Sequence, residues 1–319
     1  MTPFDSILAD PARTWSPEGF EAYRDLFPRT AALDPGLDLE CNARFAEAWH
    51  GGTPLLETTL RPHASELTVV FVRGFLGHYM PGNLAAPCMA LRRLGFDAFI
   101  ADNFPGGTVE GNVAALAGQL AGRPLRARLF FCGHSRGGLE CLTLLAANDS
   151  LSLRCTGVAR SQTAHGPSYV MESVLQGRHR ERGFSFRRRV AETAQRAGLV
   201  LARAHAGGLE LTTSHWPALV EKIDRIPRPF PVLQTASWSV RPTAWLDSFH
   251  ERLGEIGPGR AHDGQFFLED LLWPGIPHVL LPRLDHAQPA VGGCGFDHVR
   301  YWLAILSLAL SPSFPGIRP

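Results

Sequence analysis

The 319-residue sequence predicts an α/β fold with a mostly parallel central sheet and helices on both of its faces. Short runs of β-branched and apolar residues alternate with helix-like segments, and this alternation indicates right-handed βαβ units. The run at 67–72, Leu-Thr-Val-Val-Phe-Val, is continuous, as in a strand buried on both faces. The chain is 45% hydrophobic and carries a net charge of +1, which is typical of globular proteins and gives no indication of a nucleic-acid partner.

The elements follow one another in a regular order along the chain. Strands are expected at 67–72, 96–100, 127–132, 232–236 and 276–281, and helices at about 84–94, 109–120 and 137–147. Between 167 and 228 the alternation lapses, so we expect a helical cap inserted above the strand ends. The expected units are an N-terminal helical extension at 1–60, a core at 61–166 and 229–319, and the cap at 167–228.

The extension should contain two helices. Ser16-Pro17-Glu18 is a helix start with proline at the first helical position. A second helix is expected from about Leu37 to Trp49, where Gly51-Gly52 would end it.

The chain carries no feature of a secreted or membrane-spanning protein. Residues 1–6 resemble no Sec signal peptide, and the apolar run at 301–310 is too short to span a bilayer. The six cysteines have no CxxC spacing, which favours isolated thiols in a reducing compartment. We therefore expect a cytoplasmic protein, with export that needs no cleavable signal as the alternative.

Residues 133–138, Gly-His-Ser-Arg-Gly-Gly, contain the pattern GxSxG directly after a predicted strand and directly before a predicted helix. In a glycine-rich chain such a string also occurs in ordinary strand-turn-helix junctions. The context here is that of the nucleophile elbow of the α/β-hydrolase fold, in which a sharp turn lifts the serine above the sheet. Ser135 is therefore the predicted nucleophile.

The loop at 72–77, Val-Arg-Gly-Phe-Leu-Gly, follows the first predicted strand. In this fold that loop supplies one amide of the oxyanion hole, and the residue after the serine supplies the other. These would be the backbone N–H groups of Phe75 and Arg136. The alternative is a simple glycine turn that closes the strand.

Over about 66–175 and 255–290 the chain resembles the bacterial triacylglycerol lipases of the true-lipase family. The resemblance rests on RGFLG at 73–77, GHSRGG at 133–138, the turn at 162–168, HDG at 262–264 and LDH at 284–286. It implies a lipase with its catalytic acid at Asp263 and its base at His286. Three departures weaken it: Arg73 replaces the usual histidine of the oxyanion loop, the family's secretion signal is absent, and Gln288 replaces an aspartate that helps to bind structural calcium. We therefore expect no metal.

The chain order of the fold requires serine, then acid, then histidine. The candidate bases downstream of the cap are His250, His262, His278, His286 and His298. His286 alone follows a strand end within a loop, and the resemblance selects it as well. The candidate acids are Asp247, Asp263, Asp270 and Asp285. Asp263 is the first choice and Asp247 the runner-up.

These residues predict a lipase or carboxylesterase that needs no cofactor and acts on a small apolar ester. The alternatives are a thioesterase, lactonase or acyltransferase with the same triad, or a non-catalytic scaffold of the same fold. Eight arginines at 178–203 form either a solvated helix face or a basic cap that attracts anionic substrates or a membrane surface. Aromatic residues that are candidates for an acyl pocket, or else core, are Phe184, Phe186, Trp216, Trp238 and Trp245.

Overall fold

The computed structural model describes residues 41–176, 198–200, 203–224, 230–239, 247–312 and 314. Within them one sheet contains the strands β1 (Leu67–Val72), β2 (Asp97–Ile100), β3 (Arg128–His134), β4 (Cys155–Ser161), β5 (Val232–Trp238) and β6 (His278–Pro282). Their order is β2-β1-β3-β4-β5-β6, and every neighbouring pair is parallel. The predicted parallel α/β sheet is confirmed.

Helices pack on both faces of this sheet. In chain order they are α1 (Asn42–Leu60), α2 (Ala85–Arg93), α3 (Val109–Ala121), α4 (Arg136–Ala146), α5 (Asp149–Arg154), α6 (Tyr169–Gln176), α7 (His205–Leu209), α8 (Trp216–Asp224), α9 (Asp247–Ile256), α10 (Leu268–Leu271), α11 (Gln288–Val291) and α12 (His298–Ala309). On one face α12 packs against α1 and α2, whereas α3 packs against α4 on the other. No described helix is long and apolar enough to cross a membrane.

The parallel register brings the carboxyl ends of the strands to one edge of the sheet. Val72 at the end of β1 pairs with Gly133 in β3, and His134 pairs with Ser161 at the end of β4. All six residues of β1 are buried, in agreement with its unbroken apolar sequence. The loops that follow β1, β3 and β4 therefore leave the sheet side by side.

Strand β4 is absent from the strands that the apolar pattern predicts, although the family resemblance implies a strand before residue 162. Its sequence includes Thr156, Gly157 and Arg160, which interrupt the apolar run. Arg160 is nevertheless fully buried, with its guanidinium 4.6 Å from the centre of the Trp273 ring. A strand of mixed composition is tolerated here because the charged side chain stacks on an aromatic ring.

The helical path of α1 is interrupted at Gly52, where the sequence predicts the end of the second helix of the extension. Helix α1 continues to Leu60, with a kink at Gly52, where φ is 76°, and with Pro54 just beyond it. Because Gly52 is non-helical (ψ 169°), the first helical segment ends at the predicted Gly51-Gly52, and a second segment follows it as far as Leu60. The beginning of this helix near Leu37, and the helix expected from Ser16, lie outside the described residues.

The described part of 167–228 is helical and connects the neighbouring strands β4 and β5. Most of the arginine-rich segment, together with Phe184, Phe186 and Trp245, lies outside the described residues. The division into extension, core and cap therefore stays a prediction.

Candidate active site

Ser135 lies in the turn between β3 and α4 with φ 53° and ψ −130°. For a residue other than glycine, this backbone conformation costs on the order of 1–3 kcal/mol of free energy, and it persists only where the surrounding structure enforces it. Here the Ser135 N–H donates to the carbonyl oxygen of Ser161 at 2.8 Å. The strained turn is therefore fixed to the end of the neighbouring strand.

Two glycines after the serine allow the turn to pack closely against its neighbours. A Cβ atom at Gly137 would lie 2.8 Å from the carbonyl oxygen of Arg73, and one at Gly138 would lie 2.9 Å from the Cβ of Thr163. Both separations are shorter than real Cβ contacts allow. Helix α4 can start directly above the sheet because these two positions carry no side chain.

Ser135, His286 and Asp263 form one chain of hydrogen bonds. The Ser135 Oγ–H donates to His286 Nε2 at 2.8 Å, and His286 Nδ1–H donates to Asp263 Oδ2 at 2.7 Å. Asp263 is fully buried, and its Oδ1 accepts the backbone N–H groups of Gln265 and Phe266, each at 2.9 Å. Because a carboxylate only accepts hydrogen bonds, Nδ1 carries the proton and Nε2 presents a lone pair to the serine.

Two further contacts hold the histidine in place. The His286 N–H donates to the Asp263 carbonyl oxygen at 2.9 Å, which ties the two loops together. His134 Nε2–H donates to the His286 carbonyl oxygen at 2.7 Å. Burial lowers the pKa of His134 to about 3, so its ring stays a neutral donor. His134 is not among the site residues that the sequence predicts; its position next to Ser135 is the only signal in the sequence for such a role.

The other candidate bases lie elsewhere. His278 is buried within β6, and His250 and His298 lie in α9 and α12. The ring of His262 packs against that of His250, with 4.3 Å between their centres. Of these histidines, the structure brings only His286 to Ser135.

The competing acids also face other groups. Asp285 Oδ1 accepts the N–H groups of Ala287 and Gln288 and so turns toward α11. The side chain of Asp270 lies near Arg260, with 3.8 Å between Oδ2 and Nη2. Asp247 begins helix α9, and its side chain lies outside the described residues. Among the described carboxylates, Asp263 is the one bound to His286.

The loop after β1 passes directly beside the serine. A Cβ atom at Gly74 would lie 2.7 Å from Ser135 Cβ, and the Leu76 N–H donates to the Pro105 carbonyl oxygen at 2.9 Å. Neither the Phe75 nor the Arg136 amide has an acceptor among the described residues. Within the described residues both N–H groups are therefore unbonded, as the predicted role in an oxyanion hole requires.

Gln288 does not fit the calcium ligand that the family places here. Its Oε1 accepts the Asp285 N–H at 2.9 Å, and its Nε2 donates to the Gly293 carbonyl oxygen at 3.3 Å. Both ends of the amide are thus used to tie the loop to itself. The described residues contain no group of three or more His, Cys, Asp or Glu side chains that could hold a metal.

A cavity of about 670 Å³ opens beside Ser135 and His286, and no charged side chain of the described residues lines it. Its apolar lining includes Phe75, Tyr79, Met171, Val174, Leu211 and Phe266. Trp216 and Trp238, which the sequence offered as acyl-pocket or core residues, do not line it. Trp238 lies fully buried in β5, and Trp216 Nε1–H donates to the His165 carbonyl oxygen at 2.8 Å. Both are core residues.

Two of the solved structures with a similar fold are an esterase and a lipase. A metagenomic carboxyl esterase is 17% identical, over 76% of this chain and 75% of its own, with a TM-score of 0.57. A Bacillus licheniformis lipase in its mature form is 18% identical, over 74% of this chain and 91% of its own, with a TM-score of 0.53. No protein-family model and no curated protein matches the sequence. At these identities the likeness shows the fold, so the protein has the predicted α/β-hydrolase fold; membership of the true-lipase family stays a prediction.

Proposed function

We propose that this chain is a serine hydrolase that cleaves carboxylic esters of small, apolar, uncharged substrates. The observation that carries the proposal is the hydrogen-bonded chain from Ser135 through His286 to Asp263 at the wall of an apolar cavity. Nucleophile, base and orienting acid are all within hydrogen-bond reach, which is the arrangement that acyl transfer to a serine requires.

In the first half of the reaction His286 Nε2 accepts the Ser135 proton as Oγ attacks the ester carbonyl carbon. The negative charge that develops on the carbonyl oxygen is held by the amides of Phe75 and Arg136, each worth about 3 kcal/mol of the barrier. His286 then gives its proton to the leaving alcohol as the C–O bond breaks, which leaves an acyl group on Ser135.

In the second half a water molecule gives a proton to His286 and attacks the acyl carbon. The second tetrahedral intermediate collapses, the acid leaves, and the proton returns to Ser135 Oγ. Asp263 holds the Nδ1–H tautomer throughout and stabilises the imidazolium when it forms.

The cavity supports the choice of substrate. A volume of about 670 Å³ falls within the range of small-molecule sites, and an apolar lining without charged side chains favours an uncharged acyl or alcohol group. The two similar structures, a carboxyl esterase and a lipase, agree with this choice. A role in lipid metabolism in the cytoplasm belongs to the same proposal.

The test is a series of p-nitrophenyl esters of increasing acyl length, together with labelling by a fluorophosphonate that forms a P–O bond to the serine and expels fluoride. The wild type should cleave the esters and be labelled, whereas Ser135→Ala should be unlabelled and slower by on the order of 10⁴-fold or more. Ser152→Ala, on α5 away from the cavity, is the matched control. A folded Ser135→Ala that retains more than about a hundredth of wild-type turnover would refute the proposal.

The same experiment separates the alternatives. Thioester, lactone and acyl-acceptor substrates added to the series would show whether a thioesterase, lactonase or acyltransferase activity exceeds ester hydrolysis. A wild type that neither turns over esters nor reacts with the fluorophosphonate would favour the non-catalytic scaffold.

A further inference from the structure

The side chain that follows the nucleophile belongs to a buried ion pair. Arg136 Nε–H donates to Glu140 Oε1 at 3.0 Å, one turn further along α4, and both side chains are at most 1% exposed. Asn112 Nδ2–H donates to the same carboxylate at 2.7 Å and Asn103 Nδ2–H at 2.6 Å. Glu140 is therefore held by three donors.

The other side of this pair contacts the oxyanion loop. The Arg136 guanidinium lies 5.0 Å from the centre of the Phe75 ring. Asn103 Nδ2–H also donates to the carbonyl oxygen of Arg73 at 3.1 Å, so Glu140 is linked to the loop two residues before Phe75 as well. A Cβ atom at Gly208 would lie 3.5 Å from Phe75 Cζ, which places α7 against the ring.

Burying two charged side chains costs free energy of desolvation, which their mutual attraction does not always recover. Replacing a buried ion pair by apolar side chains of similar volume often leaves stability unchanged or raised. An arginine held by a carboxylate does offer a rigid, planar surface on which an aromatic ring can stack. The arrangement thus points to the position of the Phe75 ring as the property that the charges maintain.

We propose that Glu140 and the Arg136 side chain are positioning residues of the oxyanion hole, an inference that rests on the proposed function. Glu140 fixes the guanidinium, and the guanidinium fixes the Phe75 ring. The Phe75 backbone N–H is thereby held at the distance from the Arg136 N–H at which both can bind one oxygen atom. Neither side chain touches the substrate, because neither residue lines the cavity.

The first test is Glu140→Gln in the full chain with p-nitrophenyl butyrate. We expect kcat to fall about 10- to 100-fold, because a displaced donor loses its alignment with the transition state. KM should stay within about twofold of wild type, because ground-state binding is unaffected. The affinity for an aryl trifluoromethyl ketone, whose hemiketal oxyanion occupies the hole, should fall by the same factor as kcat/KM. Thr68→Val is the matched control, since it removes a buried hydrogen-bonding side chain at the opposite edge of the sheet; its kcat should not change.

The second test shows whether the ring transmits the effect. Phe75→Leu keeps the backbone amide and removes the ring, so its kcat should fall by a similar factor. Combining it with Glu140→Gln should cause no further loss, because both changes interrupt the same connection. Additive losses would overturn the proposal.

The third variant separates positioning from stability, and it answers the case in which Glu140→Gln does not fold. Arg136→Met with Glu140→Leu replaces the pair by apolar side chains and so leaves no unpaired charge, but one N–H group each of Asn103 and Asn112 loses its acceptor. We therefore expect the double variant to fold, with a free energy of unfolding lower by about 1–3 kcal/mol for each of these groups. The kcat and the ketone affinity should still be reduced. Wild-type kcat in this double variant, or in a folded Glu140→Gln, would overturn the positioning role while leaving the proposed function intact. A wild type without any ester turnover would overturn both.

Discussion

Asp263→Asn should abolish the function of His286 without moving it. Asp263 Oδ1 accepts two backbone N–H groups, from Gln265 and Phe266, whereas Oδ2 accepts the His286 Nδ1–H. An asparagine must keep its oxygen toward the two N–H donors, because the flipped amide would place its own NH₂ group against them. Its NH₂ group then faces His286 Nδ1.

The size of the effect follows from this orientation. Facing an NH₂ donor, Nδ1 becomes the acceptor and the proton moves to Nε2, so that Nε2 can no longer accept the proton of Ser135. Loss of the correct tautomer lowers kcat on the order of 10⁴-fold, which corresponds to about 5 kcal/mol. Stability should change by only about 1–2 kcal/mol, because two hydrogen bonds of the side chain remain, whereas the third is reversed in direction and no longer involves a charged group.

The assay is kcat on p-nitrophenyl butyrate together with the melting temperature. Asp285→Asn is the matched control: it changes a carboxylate next to His286, but the retained oxygen still accepts the N–H groups of Ala287 and Gln288. We expect it, and Asp247→Asn, to be nearly silent. An Asp263→Asn variant within tenfold of the wild-type kcat, or an Asp247→Asn variant with the greater loss, would show that the assignment of the acid is wrong.

Three further predictions concern metal, pH and packing. EDTA should change neither activity nor melting temperature, because Gln288 uses both ends of its amide within its own loop; a fall in melting temperature that calcium restores would contradict this. The pKa of His134 is lowered by burial from 6.5 to about 3, so the unfolded chain binds a proton there that the folded chain excludes. The stability that this group contributes is therefore complete above pH 6.5 and decreases by up to about 1.4 kcal/mol per pH unit as the pH falls toward 3; melting curves of His134→Asn should show a weaker pH dependence, and curves parallel to wild type would count against the assignment. Gly138→Ala should lower the free energy of unfolding by about 1–3 kcal/mol through contact with Thr163, whereas Gly118→Ala, in α3 with no atom within 4 Å of the added Cβ, should raise it by up to about 1 kcal/mol. Urea titrations that show equal effects at the two glycines would refute the steric argument.

The nucleophile turn could be predicted from sequence because its requirements are local. The pattern GxSxG needs a strand before it, a helix after it and small residues at fixed positions, and all of these are visible along the chain. The order of elements then restricted the base and acid to a few histidines and aspartates after the cap. The structure brings together the same three residues that this reasoning selected.

Other features depend on tertiary contacts that a sequence does not display. Arg136 and Glu140 are spaced as an ordinary i, i+4 pair, which is usually found on an exposed helix face. The pair is buried by contacts from other elements, among them the loop that carries Asn103 and the helix α3 that carries Asn112. In the same way, Trp216 and Trp238 are apolar enough to line a cavity, but the packing of the cap and sheet decides which aromatic residues do so.

The contacts around Ser135 also determine when during folding the protein can become reactive. The turn depends on the end of β1, which lies against Gly137, on the carbonyl oxygen of Ser161 at the end of β4, and on Thr163 just beyond it. A partly synthesised chain that ends before β4 lacks two of these three supports. In such a chain the strained conformation of Ser135 is no longer enforced, and the serine relaxes to an ordinary turn residue. The strained turn at Ser135 therefore requires the assembled sheet, and its hydrogen bond requires His286, which follows 151 residues later in the chain.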